Sequence, residues 1–141
     1  MIPDRLLLFV LRIVGSVALL AIPCILLPYS VMNEIHETLG MGKLPDAPVV
    51  GYLARSTSFF YAALGGLLWV ASFDLRRHRV VLGFLGVAII LFGLTLYAVD
   101  FSEGMPVWWC IGEGTFNTLF GATVLTLSLR IAPRKKLEGP E

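Results

Sequence analysis

Cysteine and histidine are scarce in this chain, at two of each in 141 residues. No C-x-x-C pair is present to relay electrons in a disulfide-forming quinone enzyme. No histidine falls inside an apolar run, where a haem carrier would need its axial ligands. The same counts exclude a disulfide scaffold and a zinc ribbon. Charged residues are few as well, at 15% against about 25% in an ordinary soluble domain. A net charge of +1 provides no field to attract nucleic acid. A Gly-rich phosphate loop, a nucleophile elbow and an H-E-x-x-H pair are all missing. The expectation is a chain with no catalytic residue, no metal site, no cofactor and no nucleic-acid partner.

What the chain has is apolar surface: 57% of its residues are hydrophobic. They fall in four runs, 6–27, 52–73, 80–99 and 108–131. Each is near the roughly 20 residues that a spanning helix needs. The spacing predicts an all-α integral membrane protein, a single bundle of four transmembrane helices over residues 1–132. Arg5 gives the first run a basic start like that of a signal peptide. Arg12 interrupts it early, however, and Pro23 and Pro28 follow with no small-residue cleavage site, so the run is read as a retained helix.

The connections sort by charge. Arg5, Arg12, Arg76, Arg77, Arg79, Arg130, Arg134, Lys135 and Lys136 fall on one side, and only Lys43 and Arg55 on the other. Cytoplasmic loops carry the Lys/Arg excess. Both termini are therefore expected in the cytoplasm of a bacterial cell, with the bundle in the inner membrane and 133–141 as a basic cytoplasmic tail. Residues 30–40 read as a short external helix, with Ser30 as N-cap and Gly40 as its end. Val31, Ile35 and Leu39 give it an apolar face suited to the bilayer surface.

Helices in lipid associate through small and polar residues. Three of the runs carry such stripes at spacings of three and four. The second has Arg55, Ser58, Ala62, Gly65, Trp69 and Ser72. The third has Gly83, Gly86, Ile90, Gly93, Tyr97 and Asp100. The fourth has Gly114, Thr118, Gly121, Leu125 and Ser128, with Glu113 and Asn117 along its edge. Counted from the basic turn, Arg55 and Asp100 reach similar heights, about 28–31 Å along their helices. This predicts an external-side polar cluster in which Arg55 pairs with Asp100 or Glu113. Tyr97 and Ser58 lie in the same layer, and Asn117 and Tyr61 slightly deeper. Such a cluster either fixes helix register as an ion pair or serves as a ligand site. Cys24 and Cys110 share that end, and either form a disulfide or sit as buried thiols.

Residues 52–100, a Gly-rich helix, the basic turn Asp74-Leu-Arg-Arg-His-Arg79 and a second Gly-rich helix, resemble the central hairpin of small four-helix bacterial membrane proteins of the DoxX-like type. The resemblance implies an inner-membrane bundle, in some members linked to redox partners, and transfers no functional residue. The functional expectation is a small multi-pass inner-membrane protein without catalysis, an accessory or scaffold subunit associating with other membrane subunits or with itself. The alternative is a small-ligand binder, carrier or membrane enzyme that uses the external cluster. A cavity discriminates between them, because an ion pair closes over whereas a ligand needs a few hundred Å³ with convergent polar groups.

Overall fold

The computed structural model describes residues 2–132, which are helical with no strand among them. The expected tail, 133–141, lies outside the described residues. Six segments follow in order: α1 (Ile2–Leu19), α2 (Ala21–Cys24), α3 (Tyr29–Thr38), α4 (Pro48–Phe73), α5 (Arg79–Ser102) and α6 (Val107–Leu129). Three stretches are long and apolar enough to cross a membrane: Asp4–Cys24, Pro48–Phe73 and Arg79–Ser102. The fourth expected span forms as α6 but is not among them. Glu113, Asn117, four threonines and Ser128 dilute its apolar character.

The first span is not one continuous helix. Pro23 has no N–H to offer the carbonyl four residues back, and its ring crowds that turn. The chain accordingly breaks at Leu20 and resumes as the single turn α2. At the start of α3, Pro28 rather than Ser30 takes the N-cap position. At its end Gly40, with φ +74°, closes a Schellman motif. Gly40 N–H donates to the Glu37 carbonyl and Met41 N–H to that of His36. The same device ends α5, where Gly104 has φ +70° and Met105 N–H returns to the Asp100 carbonyl. Pro106 then caps α6.

α5 and α6 form the tightest pair, and α1 packs on α4. Glycine makes the first contact close. A Cβ at Gly86 would lie 2.7 Å from Leu125 N, one at Gly93 2.7 Å from Thr118 N, and one at Gly121 2.7 Å from Ile90 N, while one at Gly114 would meet the Tyr97 ring at 2.9 Å. In every one of these pairs the two residue numbers have the same sum, so the antiparallel register holds without slip. On each helix the glycines recur seven residues apart, two turns, which keeps them on one seam. The α1–α4 contact is made at Gly15 and Gly65, where a Cβ at Gly65 would come within 2.7 Å of the Gly15 carbonyl oxygen. The stripe on α4 thus faces α1, and the Gly15-Ser16 pair is its partner: Trp69 Nε1 donates to Ser16 Oγ at 3.1 Å. Arg12 lies 5.1 Å above the Trp69 ring and donates to Ser72 Oγ at 3.3 Å, which holds a half-buried guanidinium without an acid.

The apolar core fills one half of the bundle. Leu7, Leu11, Leu68, Leu75, Leu82, Val124 and Ile131 pack there, around the 74–78 turn. Arg79 closes that end by donating to the Ser128 carbonyl at 3.2 Å and the Leu129 carbonyl at 3.5 Å, the exposed C-terminal acceptors of α6. The opposite half of the bundle is looser. A central cavity of 170 Å³ begins above Leu68 and Phe120 and is walled by α1, α4, α5 and α6.

Candidate functional site

The residues of the expected polar cluster separate into two groups. Arg55 lies on α4 near its N-terminal end and is exposed. Side chains on a helix lean toward its N-terminus, so the guanidinium folds back over Gly51, where a Cβ would stand 2.9 Å from Nη1. It donates from Nη2 to the Leu27 carbonyl at 3.2 Å. Asp100, near the C-terminal end of α5, leans the other way, into the bundle. The expected ion pair of Arg55 with Asp100 or Glu113 is therefore not made. Equal height along the helix axes had suggested the pair, and opposite side-chain direction prevents it. Ser58 is not drawn in either, since its hydroxyl donates to the Ala54 carbonyl of its own helix.

Asp100, Glu113, Tyr61 and Asn117 do come together. Asp100 is 6% exposed, and its Oδ2 is buried with no hydrogen-bond partner. Glu113 lies slightly deeper than Asp100 and leans outward on α6. Tyr61 from α4 and Trp109 from one turn earlier on α6 line the same cleft as Glu113, and Asp100 is near enough for its carboxyl group to act on Glu113 and on Tyr61. Asn117 donates to the Glu113 backbone carbonyl at 2.9 Å, which turns its amide oxygen toward free space. Tyr97 hydrogen-bonds with Thr115 across the α5–α6 seam and supports the cluster from below.

This group lines a cleft of 370 Å³ walled by Tyr61, Trp108, Trp109, Gly112, Glu113, Phe116 and Asn117. Tyr61, Phe116 and Asn117 also wall the central cavity. Tyr61 borders a third space as well, an apolar groove of 380 Å³ between α4 and α5. The polar cleft thus adjoins both apolar spaces at one phenol. Sequence reasoning put Tyr61 only at the edge of the cluster. Its signal was its place two turns inward of Arg55, the depth at which Glu113 is met.

Cys24 and Cys110 are free thiols, so of the two alternatives the disulfide is not formed. Cys24 Sγ contacts the Leu20 carbonyl four residues back, at 3.8 Å. Cys110 is buried, and its thiol donates to the Met105 carbonyl at 3.4 Å. Each answers a carbonyl at a break in its own helix path. His36 in α3 is engaged by the Gly42 carbonyl at 2.8 Å, and Glu37 accepts from Asn33 at 2.9 Å. Among the described residues no three His, Cys, Asp or Glu side chains are grouped to hold a metal ion.

Comparison with known proteins finds no family model, no curated protein and no solved structure that matches the chain.

Proposed function

We propose that the chain is a multi-pass bacterial inner-membrane protein that binds a small ligand, without catalysis, in the cleft between α4 and α6. The observation that carries this reading is the cleft: 370 Å³, walled largely by aromatic rings, with Glu113, Tyr61 and Asn117 converging on it. Those are the proportions of a small-molecule site. A scaffold stapled by an ion pair would have this end closed, and Arg55 is turned away from it.

The membrane setting draws on three long apolar stretches. We take α6 as the fourth span, because it is in contact with α5 through Leu125, Thr118 and Gly114, along most of the length of that helix. Several of its polar residues turn to α5 or into the cleft: Thr118 and Ser128 meet α5 glycines, and Glu113 and Asn117 line the cleft. Arg12, Arg76, Arg77, Arg79 and Arg130 stand at the 74–78 end, which supports both termini in the cytoplasm and the cleft toward the external side. The bilayer is then the partner of the outer apolar faces.

The test is whether the cleft is occupied when the protein leaves the membrane. Wild-type protein and Asn117→Trp, which fills the cleft, are purified in a non-ionic detergent and their extracts compared by mass spectrometry. A small molecule near equimolar in the first and lost from the second is expected. Identical extracts from the two proteins would overturn the reading.

A further inference from the structure

Glu113 lines the cleft, Asp100 lies near it, and among the described residues no cation pairs with either. Asp100 is more than nine-tenths buried, one of its oxygens lacks any partner, and its charge acts on Glu113 and Tyr61. Among the described residues the side chains acting on Glu113 are Trp109, Tyr61 and Asp100, none of them basic. Arg55, the only arginine at this end, is held by the Leu27 carbonyl. A buried carboxylate oxygen without a donor is costly, and a second carboxylate beside it adds repulsion. A positive group in the cleft, where Glu113 is exposed to it, offsets that repulsion.

The walls favour one kind of cation. Trp108 and Trp109 stand with ring centroids 5.6 Å apart and planes 81° to each other, the edge of one ring against the face of the other. Aromatic faces attract a cation, most of all one with little bound water. A bare metal ion would ask for several oxygen ligands, and this wall supplies few. A volume of 370 Å³ admits a molecule of ten to twenty heavy atoms, an order-of-magnitude figure for clefts of this class.

We infer that the cleft takes a small organic monocation, an alkyl- or arylammonium, with its charged centre toward Glu113 and its apolar part against Trp108, Trp109 and Phe116. This rests on the ligand-binding reading above and names the class of ligand. Protons compete for the Glu113 carboxyl group. The titratable groups facing it are Tyr61 from α4 and Asp100 from α5. α1 brings only Val14, Val17 and Ala18 to the adjoining cavity.

The experiment titrates the full chain in non-ionic micelles with phenyltrimethylammonium and, separately, with benzenesulfonate, a similar shape of opposite charge, at fixed ionic strength. Tryptophan fluorescence is the readout. Saturable quenching by the cation alone is expected. Its affinity should fall about tenfold, near 1.4 kcal/mol, in Glu113→Gln or Asp100→Asn, and should fall again as the pH is lowered. Either variant suffices if the other does not fold. Saturable quenching by benzenesulfonate of equal strength overturns the cation inference while leaving the cleft a binding site. Quenching by neither probe overturns it too, and so does an affinity unchanged in both variants. Occupancy of the cleft itself is decided separately, by the comparison with Asn117→Trp.

Discussion

The Tyr61 phenol on α4 and the Glu113 carboxyl on α6 face one cleft, while Arg55, six residues earlier on α4, turns back to Leu27. At 1.5 Å per residue the two positions differ by about 9 Å in depth. Tyr61→Phe removes a polar group from the cleft wall and should destabilise the bundle by up to about 1 kcal/mol. Arg55→Ala removes one exposed bond and should cost less, within about 0.5 kcal/mol. Unfolding by detergent titration checks the order, and a larger loss for Arg55→Ala would show that the guanidinium holds the external end.

The glycine seam separates two substitutions of the same kind. At Gly121 an added methyl group would press on the Gly86 carbonyl oxygen and on Ile90 N, which are backbone atoms and cannot rotate away. Gly121→Ala should cost about 1–3 kcal/mol. At Gly66 nothing lies within 4 Å of the added atom, so Gly66→Ala should be neutral or stabilising, by up to about 1 kcal/mol from helix propensity. Equal effects at the two sites would contradict the α5–α6 register.

The thiols give a chemical readout. Cys24 is half-buried and Cys110 fully buried. A maleimide should modify the native protein once, at Cys24, and a second time only after denaturation. A native mass two hydrogens lighter than the reduced chain would reveal the bridge instead.

Alkaline pH acts on the external segment. Tyr29 in α3 donates to the Leu44 carbonyl, and desolvation, reinforced by the Asp46 charge, raises its pKa above 10.0. Folding thus favours the neutral phenol. The closed 29–44 loop keeps its full contribution below the ordinary tyrosine value and loses it as the pH rises through the elevated one. Subtracting the alkaline absorbance titration of Tyr29→Phe from that of wild type should leave a transition with its midpoint above 10.0. A midpoint at the ordinary value would mean that the loop is open.

Orientation is read by impermeant thiol reagents on intact cells. In a chain carrying Cys24→Ser and Cys110→Ala, Lys43→Cys should label from outside and Arg77→Cys only after lysis. Outside labelling at position 77 would invert the topology.

Legibility varied with how many coordinates a feature needs. The seam of Gly86, Gly93, Gly114 and Gly121 was readable because periodicity alone puts such residues on one face. The Arg55 pairing was misread because height is one coordinate and side-chain direction another. Both are set by the helix, but the second reverses between antiparallel neighbours. Pro23 carried its own signal, a missing donor, which the strong apolar run concealed. The folded 29–44 segment depends on contacts between residues far apart in number. Asn33 Oδ1 accepts from Leu44 N–H at 2.8 Å, and Gly40 and Gly42 turn the chain back with φ +74° and +78°. No short-range pattern encodes that meeting. Tyr61 was legible as a residue of the layer, but its role depended on knowing where Arg55 would go.

In the membrane setting proposed above, the four residues between α5 and α6 have a consequence for how the chain would enter the bilayer. A short loop costs little closure entropy, and contacts close in sequence form early. α5 and α6 leave the ribosome in succession, and each Gly86–Leu125 or Gly93–Thr118 contact is available as soon as α6 is made. α6 carries Glu113 and Asn117 and is the least apolar of the long helices, so inserting alone it would expose them to hydrocarbon. Entering as a hairpin already joined to α5, it shields its polar edge with a sister helix. The α1–α4 contact spans the long 20–47 excursion and has to wait for that excursion to be synthesised. Assembly of the membrane domain is thereby ordered in time: α1 is inserted first but finds its permanent neighbour later, whereas the last two helices arrive together.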